Sequence, residues 1–364
     1  TFEKPEQPVL LHLTALLERI AMRKLLNTLF VTSEDLYLSL ENDNILAWRE
    51  DQVLQRIPLI NLENIFYFGY KGASPALLGA CVKKHIGFCF LTPQGKFLAR
   101  AVGMTVGNIL LRKEQYRISD EEDRSLAVAR MMIAGKILNG RIVLMRALRD
   151  HGLSVDQALF QTHIQDLKQS AKEAVKAETL DELRGVEGNA AQSYFSLMDQ
   201  MILADKKHFY FQERSKRPPL DRVNALLSFA YTLLAHDCAS ALEAVGLDSY
   251  AGFLHRDRPG RQSLALDLME ELRSPYADRF VLTLINNRII QAKHFKIMED
   301  GAVLLDDEGR HLFLANWQEK KRETITHPFL GEKIYWGLIP YVQSLLLARY
   351  IRGDLDGYPP FLWK

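Results

Sequence analysis

Residues 36–58 read LYLSLENDNILAWREDQVLQRIP, and this stretch decides the fold of the first part of the chain. Leu36, Leu38 and Leu40 alternate with polar neighbours, Glu41–Asn44 has the composition of a hairpin turn, and Ile45 resumes the apolar face. Side chains alternate across a strand, so the pattern specifies a hairpin with one buried face. Working outward, Gln52–Ile57, Asn64–Phe68, Gly87–Leu91 and Lys96–Val102 read as further strands, with Thr92-Pro93-Gln94-Gly95 as the turn between the last two. One helix, Pro75–His85, interrupts them and is stopped by Gly87. The pattern predicts a β-rich domain over residues 22–105.

Beyond Asn108 the period lengthens. Glu114–Asp150 places Leu126, Ala129, Met132, Ile133 and Ile137 on one buried stripe, and helical stretches follow near Val155–Ala177, Ala190–Asp205, Val223–Val245, Leu264–Arg273, Ala277–Asn287 and Ile339–Arg352. Val223–Val245 is the clearest, with Leu226, Leu227, Ala230, Leu234, Cys238, Ala241 and Leu242 on its apolar face and Gly246 as its stop. The expected class is α+β: the β-rich domain, a boundary near residues 103–112, and a larger all-α domain over 106–364. Residues 1–21 stand apart. Pro5 and Pro8 precede an amphipathic run, Leu10–Ile20, and Met22-Arg23-Lys24 is a more natural start, so the segment reads as a tag, a mis-start or the remnant of a fused domain.

At 364 residues, 48% hydrophobic and 25% charged, the chain has the composition of a globular protein with two cores rather than a disordered one. A net charge of +1 carries no information about nucleic acid, because a basic groove and an acidic back cancel. Cys81, Cys89 and Cys238 lie in apolar runs with no metal-binding spacing and are expected to be reduced core residues of a cytoplasmic protein. No apolar run of spanning length and no secretory signal is evident, so no membrane is expected.

The chemistry concentrates in His255–Arg273, HRDRPGRQSLALDLMEELR. Helical spacing sets Asp267 beside Glu270 and Glu271, where like charges repel by about 0.2–0.5 kcal/mol per pair. A divalent cation would reverse that penalty, and one imidazole with two carboxylates suits Mn²⁺ or Mg²⁺ better than structural zinc. Arg256, Arg258 and Arg261 share the loop and could hold a phosphate chain against the metal. The competing reading is a solvated acidic face, with Leu264, Leu268 and Leu272 forming the buried stripe. Glu187 lies between Gly185 and Gly188, read as a helix start, and could equally be a plain exposed acid. Arg214, Lys216 and Arg217 follow Tyr210 and Phe211 and precede Asp221, a plausible helix cap; this is either a backbone-tracking groove or an ordinary charged loop. Arg112, Lys113 and Arg117 form a weaker cluster. No GxSxG elbow, nucleotide-phosphate loop or dinucleotide fingerprint is present, which argues against triad hydrolysis and ATP-driven chemistry.

These residues carry a family pattern. The segments LLNTLFVTSEDLYLSLE, FGYKGASPALLG, LRKEQYR, LRGVEGNAA, ERSKRPPLDRVNALLSFAYTLLA, GFLHRDRPGRQSLALDLMEELRSPYADRF and GDLDGYPPFLWK resemble, in this order from about residue 22 to 364, the CRISPR-associated protein one family (Cas-one, Cas1), with most likeness to its type I-C branch. The resemblance implies a β-sandwich-like N-terminal dimerisation domain followed by a helical catalytic domain. It puts the metal ligands on Glu187, His255 and Glu270, with Asp267 as a further functional acid, and it implies Mn²⁺ or Mg²⁺ as the cofactor. The loop after His255 is longer here by two residues than the family's, so the division of labour between Asp267 and Glu270 stays open. It implies integration of new spacer DNA into the CRISPR array by 3′-hydroxyl attack on a repeat phosphodiester; a stand-alone nuclease using water is the alternative. Arg112, Arg214, Lys216, Arg217, Arg258 and Arg261 are then expected to contact DNA. The implied partners are double-stranded prespacer and repeat DNA, a Cas-two (Cas2) dimer, a second copy of the chain and the Cas-four (Cas4) trimming nuclease. The Pro359-Pro360 tail either docks a partner or packs on the last helix.

Overall fold

The computed structural model describes residues 27–93, 97–103 and 109–364. The readings on residues 1–21, on Gln94-Gly95 and on the central part of the domain boundary lie outside the described residues. In the hairpin at residues 36–58, strand β2 (Tyr37–Glu41) pairs antiparallel with β3 (Asn44–Arg49), with Glu41 opposite Asn44. Asn42 and Asp43 between them both have positive φ, 47° and 59°, as a tight hairpin turn of matching twist requires and as these two residue types tolerate. Strand β4 (Gln52–Pro58) completes a three-stranded meander.

The second sheet has the order β1-β5-β6-β7. Strands β1 (Asn27–Val31), β5 (Leu62–Phe68) and β6 (Gly87–Leu91) are parallel, and β7 (Phe97–Ala101) closes the edge antiparallel to β6. Helix α1 (Pro75–Lys83), capped by the Ser74 hydroxyl on the Leu77 N–H and opened by Pro75, is the crossover between β5 and β6. Period two then assigns two faces to this sheet. Ile65, Tyr67 and Phe88 pack with Leu38 and Ile45 of the meander and with Leu77 and Cys81 of α1. Phe66, Phe68, Cys89 and Leu91 point the other way, into the core of the helical domain.

That domain comprises α2 (Ile109–Asp120), α3 (Glu122–His151), α4 (Gln157–Lys176), α5 (Leu180–Phe195), α6 (Arg222–Ala244), α7 (Ser263–Glu270), α8 (Arg279–Asn286), α9 (Asp307–Arg322) and α10 (Ile339–Ile351), with a π-helical turn, Arg273–Asp278, between α7 and α8. Helix α6 is the central element. Asp221 caps it on the Asn224 N–H at 2.7 Å, and Phe229 and His236 meet the sheet edge-on through Phe68 and Phe66. A partly buried Arg100–Glu243 ion pair at 2.8 Å joins the same two elements. The expectation that no stretch matches a membrane span needs correcting: the 23 residues of α6 are long and apolar enough to cross a bilayer, but most are buried inside the fold.

All three cysteines are buried and unpaired, and burial pushes the Cys81 and Cys89 thiols up to about 12. The all-α expectation is amended by two ribbons, β8 (Phe295–Ile297) with β9 (Val303–Leu305) and β10 (Thr324–Thr326) with β11 (Lys333–Tyr335). Strands of three residues are too short to print an alternation on the sequence.

Candidate active site

Every residue of helix α7 but the half-buried Leu266 is buried, so its acids do not form one solvated face. Asp267, Glu270 and Glu271 are 0%, 4% and 0% exposed, and each serves a different neighbour. Asp267 turns to the loop before the helix. Its Oδ2 accepts the Phe253 and Leu254 N–H groups at 2.7 and 3.0 Å, and its Oδ1 accepts the His255 N–H at 3.1 Å and the ring Nδ1 at 2.5 Å. Gly252 lets the loop lie this close, since a Cβ there would sit 2.9 Å from Asp267 Oδ2. With both oxygens saturated, Asp267 has no lone pair directed at a metal. It fixes the proton on Nδ1 and leaves Nε2 free, the second-tier arrangement that metal-binding imidazoles use.

Nε2 of His255 lies 4.0 Å from Glu270 Oε1. Glu270 also pairs with Arg273 at 3.0 Å and, through Oε2, with the Lys136 ammonium at 2.7 Å. Burial alone would raise the Glu270 carboxyl, but Arg273, Lys136 and His255 outweigh it and hold its pKa near about 2. The same Lys136 ammonium contacts Glu187 Oε1.

Glu187 stands in the middle of α5, not at a helix start. Thr179 caps that helix on the Glu182 N–H at 3.1 Å, eight residues before the glutamate. Gly185 and Gly188 are therefore interior helical glycines, and a Cβ at either would meet nothing within 4 Å. They leave the helix surface on both sides of Glu187 bare. Arg184 joins α5 to the His255 loop by donating to the Leu254 carbonyl at 2.8 Å.

Glu187, Glu270 and His255 Nε2 thus converge, with the Lys136 ammonium between the two carboxylates. Among the described residues no three His, Cys, Asp or Glu side chains are already drawn in around one metal-sized point. The donor set nonetheless fits a divalent cation. It offers two carboxylates and one imidazole of fixed tautomer, and a cation already bridges the carboxylates.

The expected DNA-contacting residues divide. Lys216 and Arg217 are exposed, as is Arg258, and Arg261 is half-buried on the same turn at Gly260, φ +74°. Lys216 belongs to the site electrostatically: partial burial, Arg273 and Arg214 all lower its pKa, while Glu270 raises it. Arg214 is held inside the fold, donating to Asn224 Oδ1 at 2.6 Å and Ser228 Oγ at 3.1 Å and lying over the Tyr231 ring at 5.3 Å. Arg112 is 9% exposed. Sequence reading missed Lys136, Arg273 and Arg184 as site residues, because a lysine or arginine on a helix carries no signal of its own.

Glu271 faces away from the site. It accepts Gln343 Nε2 at 3.0 Å, the Tyr358 hydroxyl and the Phe361 N–H at 2.7 Å, which settles the tail as packed into the core. Asn139 of α3 seals it by donating to the Glu271 and Phe361 carbonyls, both at 2.7 Å, and accepting the Trp363 N–H at 2.8 Å.

A sequence profile of the family described as CRISPR associated protein Cas1 matches residues 29–319. The CRISPR-associated endonuclease Cas1 1 of Chlorobaculum tepidum is 49% identical over 94% of this chain and 100% of its own. A Cas1 protein from Thermotoga maritima superposes with TM-score 0.78 at 25% identity, over 90% of this chain and 97% of that one. Two likenesses of fold alone, both 20% identical, are a casposase bound to integration product (TM-score 0.79; 93% and 95% covered) and a chain of a Cas6-RT-Cas1–Cas2 complex (TM-score 0.77; 93% and 36%). The chain belongs to the Cas1 family.

Proposed function

We propose that this chain is a CRISPR adaptation integrase that joins the 3′-hydroxyl of an incoming DNA fragment to a phosphodiester of the CRISPR repeat, displacing the repeat's own 3′-oxygen. The observation that carries it is the convergence of Glu187, Glu270 and His255 Nε2, with His255 set by Asp267, in a chain of this family. Those three residues would hold Mn²⁺ or Mg²⁺, which when bound supplies charge to the phosphate and eases ionisation of the attacking hydroxyl. Asp267 keeps the imidazole in the tautomer that presents Nε2. Arg273 and Lys216 add fixed positive charge beside the reacting phosphate, and Arg217, Arg258 and Arg261 position the flanking backbone without reading bases. Transesterification conserves the phosphodiester and needs no ATP, in keeping with the missing nucleotide loop.

We further assign the chain to the type I-C branch on the ordered segments that carry the family likeness, place it in the cytoplasm as a homodimer, and give it double-stranded DNA, a Cas2 dimer and the Cas4 nuclease as partners. The Cas1–Cas2 and casposase likenesses support the first two of those partners. The second reading, hydrolysis by water at the same residues, is favoured by the endonuclease name of the curated relative.

A strand-transfer assay with labelled short DNA, a repeat-containing target, Cas2 and Mn²⁺ separates the two. Products longer than the input strand, lost in Glu187→Ala, His255→Ala and Glu270→Ala, are the expected result; only shortened strands would establish the hydrolytic reading. In the same assay Gly185→Ala and Gly188→Ala should transfer strands poorly, because on this reading each methyl would occupy the open helix face along which DNA backbone reaches Glu187. Thermal melting should meanwhile show both variants stabilised, by about 0.5–1 kcal/mol each, as for an unhindered helical Gly→Ala change. Unchanged strand transfer would show that the bare helix face plays no part.

A further inference from the structure

Helix α3 holds Lys136 in a fixed place. Gly135 before it is where the tail packs, since a Cβ there would meet Pro360 Cβ at 2.9 Å, and Asn139 one turn later is hydrogen-bonded to Glu271, Phe361 and Trp363. The backbone at 136 therefore cannot shift freely, but the side chain can. That side chain is 13% exposed, and its ammonium bridges a carboxylate oxygen of Glu187 and one of Glu270, the two acids that belong to different helices and to the proposed metal set.

We propose that Lys136 is a displaceable stand-in for the divalent cation: it holds Glu187 and Glu270 together in the metal-free protein and is expelled when the metal enters. This rests on the metal reading above. The charges explain why such a device is needed. Glu270 is buried, and a buried carboxylate facing a second one is strained unless a cation lies between them. Lys136 and Arg273 supply two positive charges against the two acids, so the site is close to neutral before any metal arrives. The same arrangement makes occupancy exclusive. An oxygen lone pair directed at an ammonium is not available to a metal, and a dication on those oxygens would repel the ammonium at contact distance.

The displaced side chain has somewhere to go. A cavity of about 30 Å³, the size of one water, adjoins Lys136; Tyr194, Tyr231, Ser274 and Asp278 line it, with Arg273 at its wall. The Asp278 carboxyl, otherwise bonded to the Tyr231 hydroxyl at 2.5 Å, gives the ammonium a new polar partner there.

The test is calorimetric titration of metal-free protein with MnCl₂, alongside thermal melting with and without Mn²⁺. Wild type, Lys136→Met and Lys136→Arg are compared, with Glu187→Ala as the binding-deficient control. Lys136→Met keeps the aliphatic stem and removes the competing charge, so its Mn²⁺ affinity should rise about tenfold or more. Its metal-free form should melt below wild type, with the gap closing at saturating Mn²⁺. Lys136→Arg keeps a cation on the carboxylates and should bind no tighter than wild type. If Lys136→Met does not fold, Lys136→Gln is read in the same way. Normal Mn²⁺ binding by wild type with equal or weaker binding by Lys136→Met would overturn the proposal and leave the metal site standing. A flat wild-type titration would remove both.

Discussion

Asp267→Asn protein will fold but bind Mn²⁺ roughly 10- to 100-fold more weakly than wild type, the range seen when the partner of a metal-binding histidine is changed. The reason lies in what Asp267 accepts. One oxygen takes two backbone N–H groups and the other takes the His255 N–H and Nδ1. An asparagine must set its NH₂ against one of these pairs. The Oδ2 side faces two backbone donors and the Oδ1 side only one, the other being an imidazole that can move its proton. The amide will therefore face His255, give up the His255 N–H bond and drive the proton from Nδ1 to Nε2. The nitrogen 4.0 Å from Glu270 then carries a hydrogen and cannot ligate. Asp267→Ala leaves three backbone N–H groups and the His255 Nδ1–H without their acceptor and should cost about 3–5 kcal/mol of stability, as for removal of one partner of a buried charge network. Calorimetric titration and denaturant unfolding measure the two effects. Wild-type Mn²⁺ affinity in Asp267→Asn would mean that His255 is oriented by something else.

Phe361→Ala will be among the most destabilising single changes outside the site. Phe361 is fully buried, its N–H and carbonyl are bonded to Glu271 and Asn139, and its ring lies against Trp336 and His327. Truncating a buried Phe costs about 3–5 kcal/mol, a large part of the roughly 5–15 kcal/mol that holds a domain folded. Urea unfolding at neutral pH should show the loss, and a loss below about 1 kcal/mol would contradict the packed tail. The tail also carries a pH signature. Burial raises the Glu271 carboxyl to about 7 despite the Tyr358, Gln343 and Phe361 hydrogen bonds that lower it. A pKa raised on folding means the folded chain holds the proton more tightly than the unfolded one. Glu271 thus contributes stability that is full below its unfolded value of 4.5 and is lost as pH rises through about 7. Unfolding curves across that window should decline with pH.

Local pattern made some of this architecture legible and left other parts hidden. The hairpin at residues 36–58 was readable because alternation and an Asn-Asp turn are both local. The parallel pairing of β1, β5 and β6 was not, because strands joined by a crossover print no register on the sequence. Glycine misled at Gly185 and Gly188, where two residues that usually end helices lie inside one. Spacing misled at α7: residues three and four apart share a face, but a helix enclosed on every side has a different neighbour for Asp267, for Glu270 and for Glu271. His255 and the three acids could be nominated from sequence. Their separate tasks came only with the loop folded over Asp267 and the tail folded under Glu271.

Glu270 and Glu271 are adjacent, one directed at the site and the other at residues 358–361. This gives the chain an order of manufacture. The helix carrying the Glu270 carboxylate can be synthesised early, but its other side has no floor until residues 358–363 emerge from the ribosome and close over Glu271 and Asn139. A chain interrupted before that point lacks the packing that closes the Glu271 side of the helix.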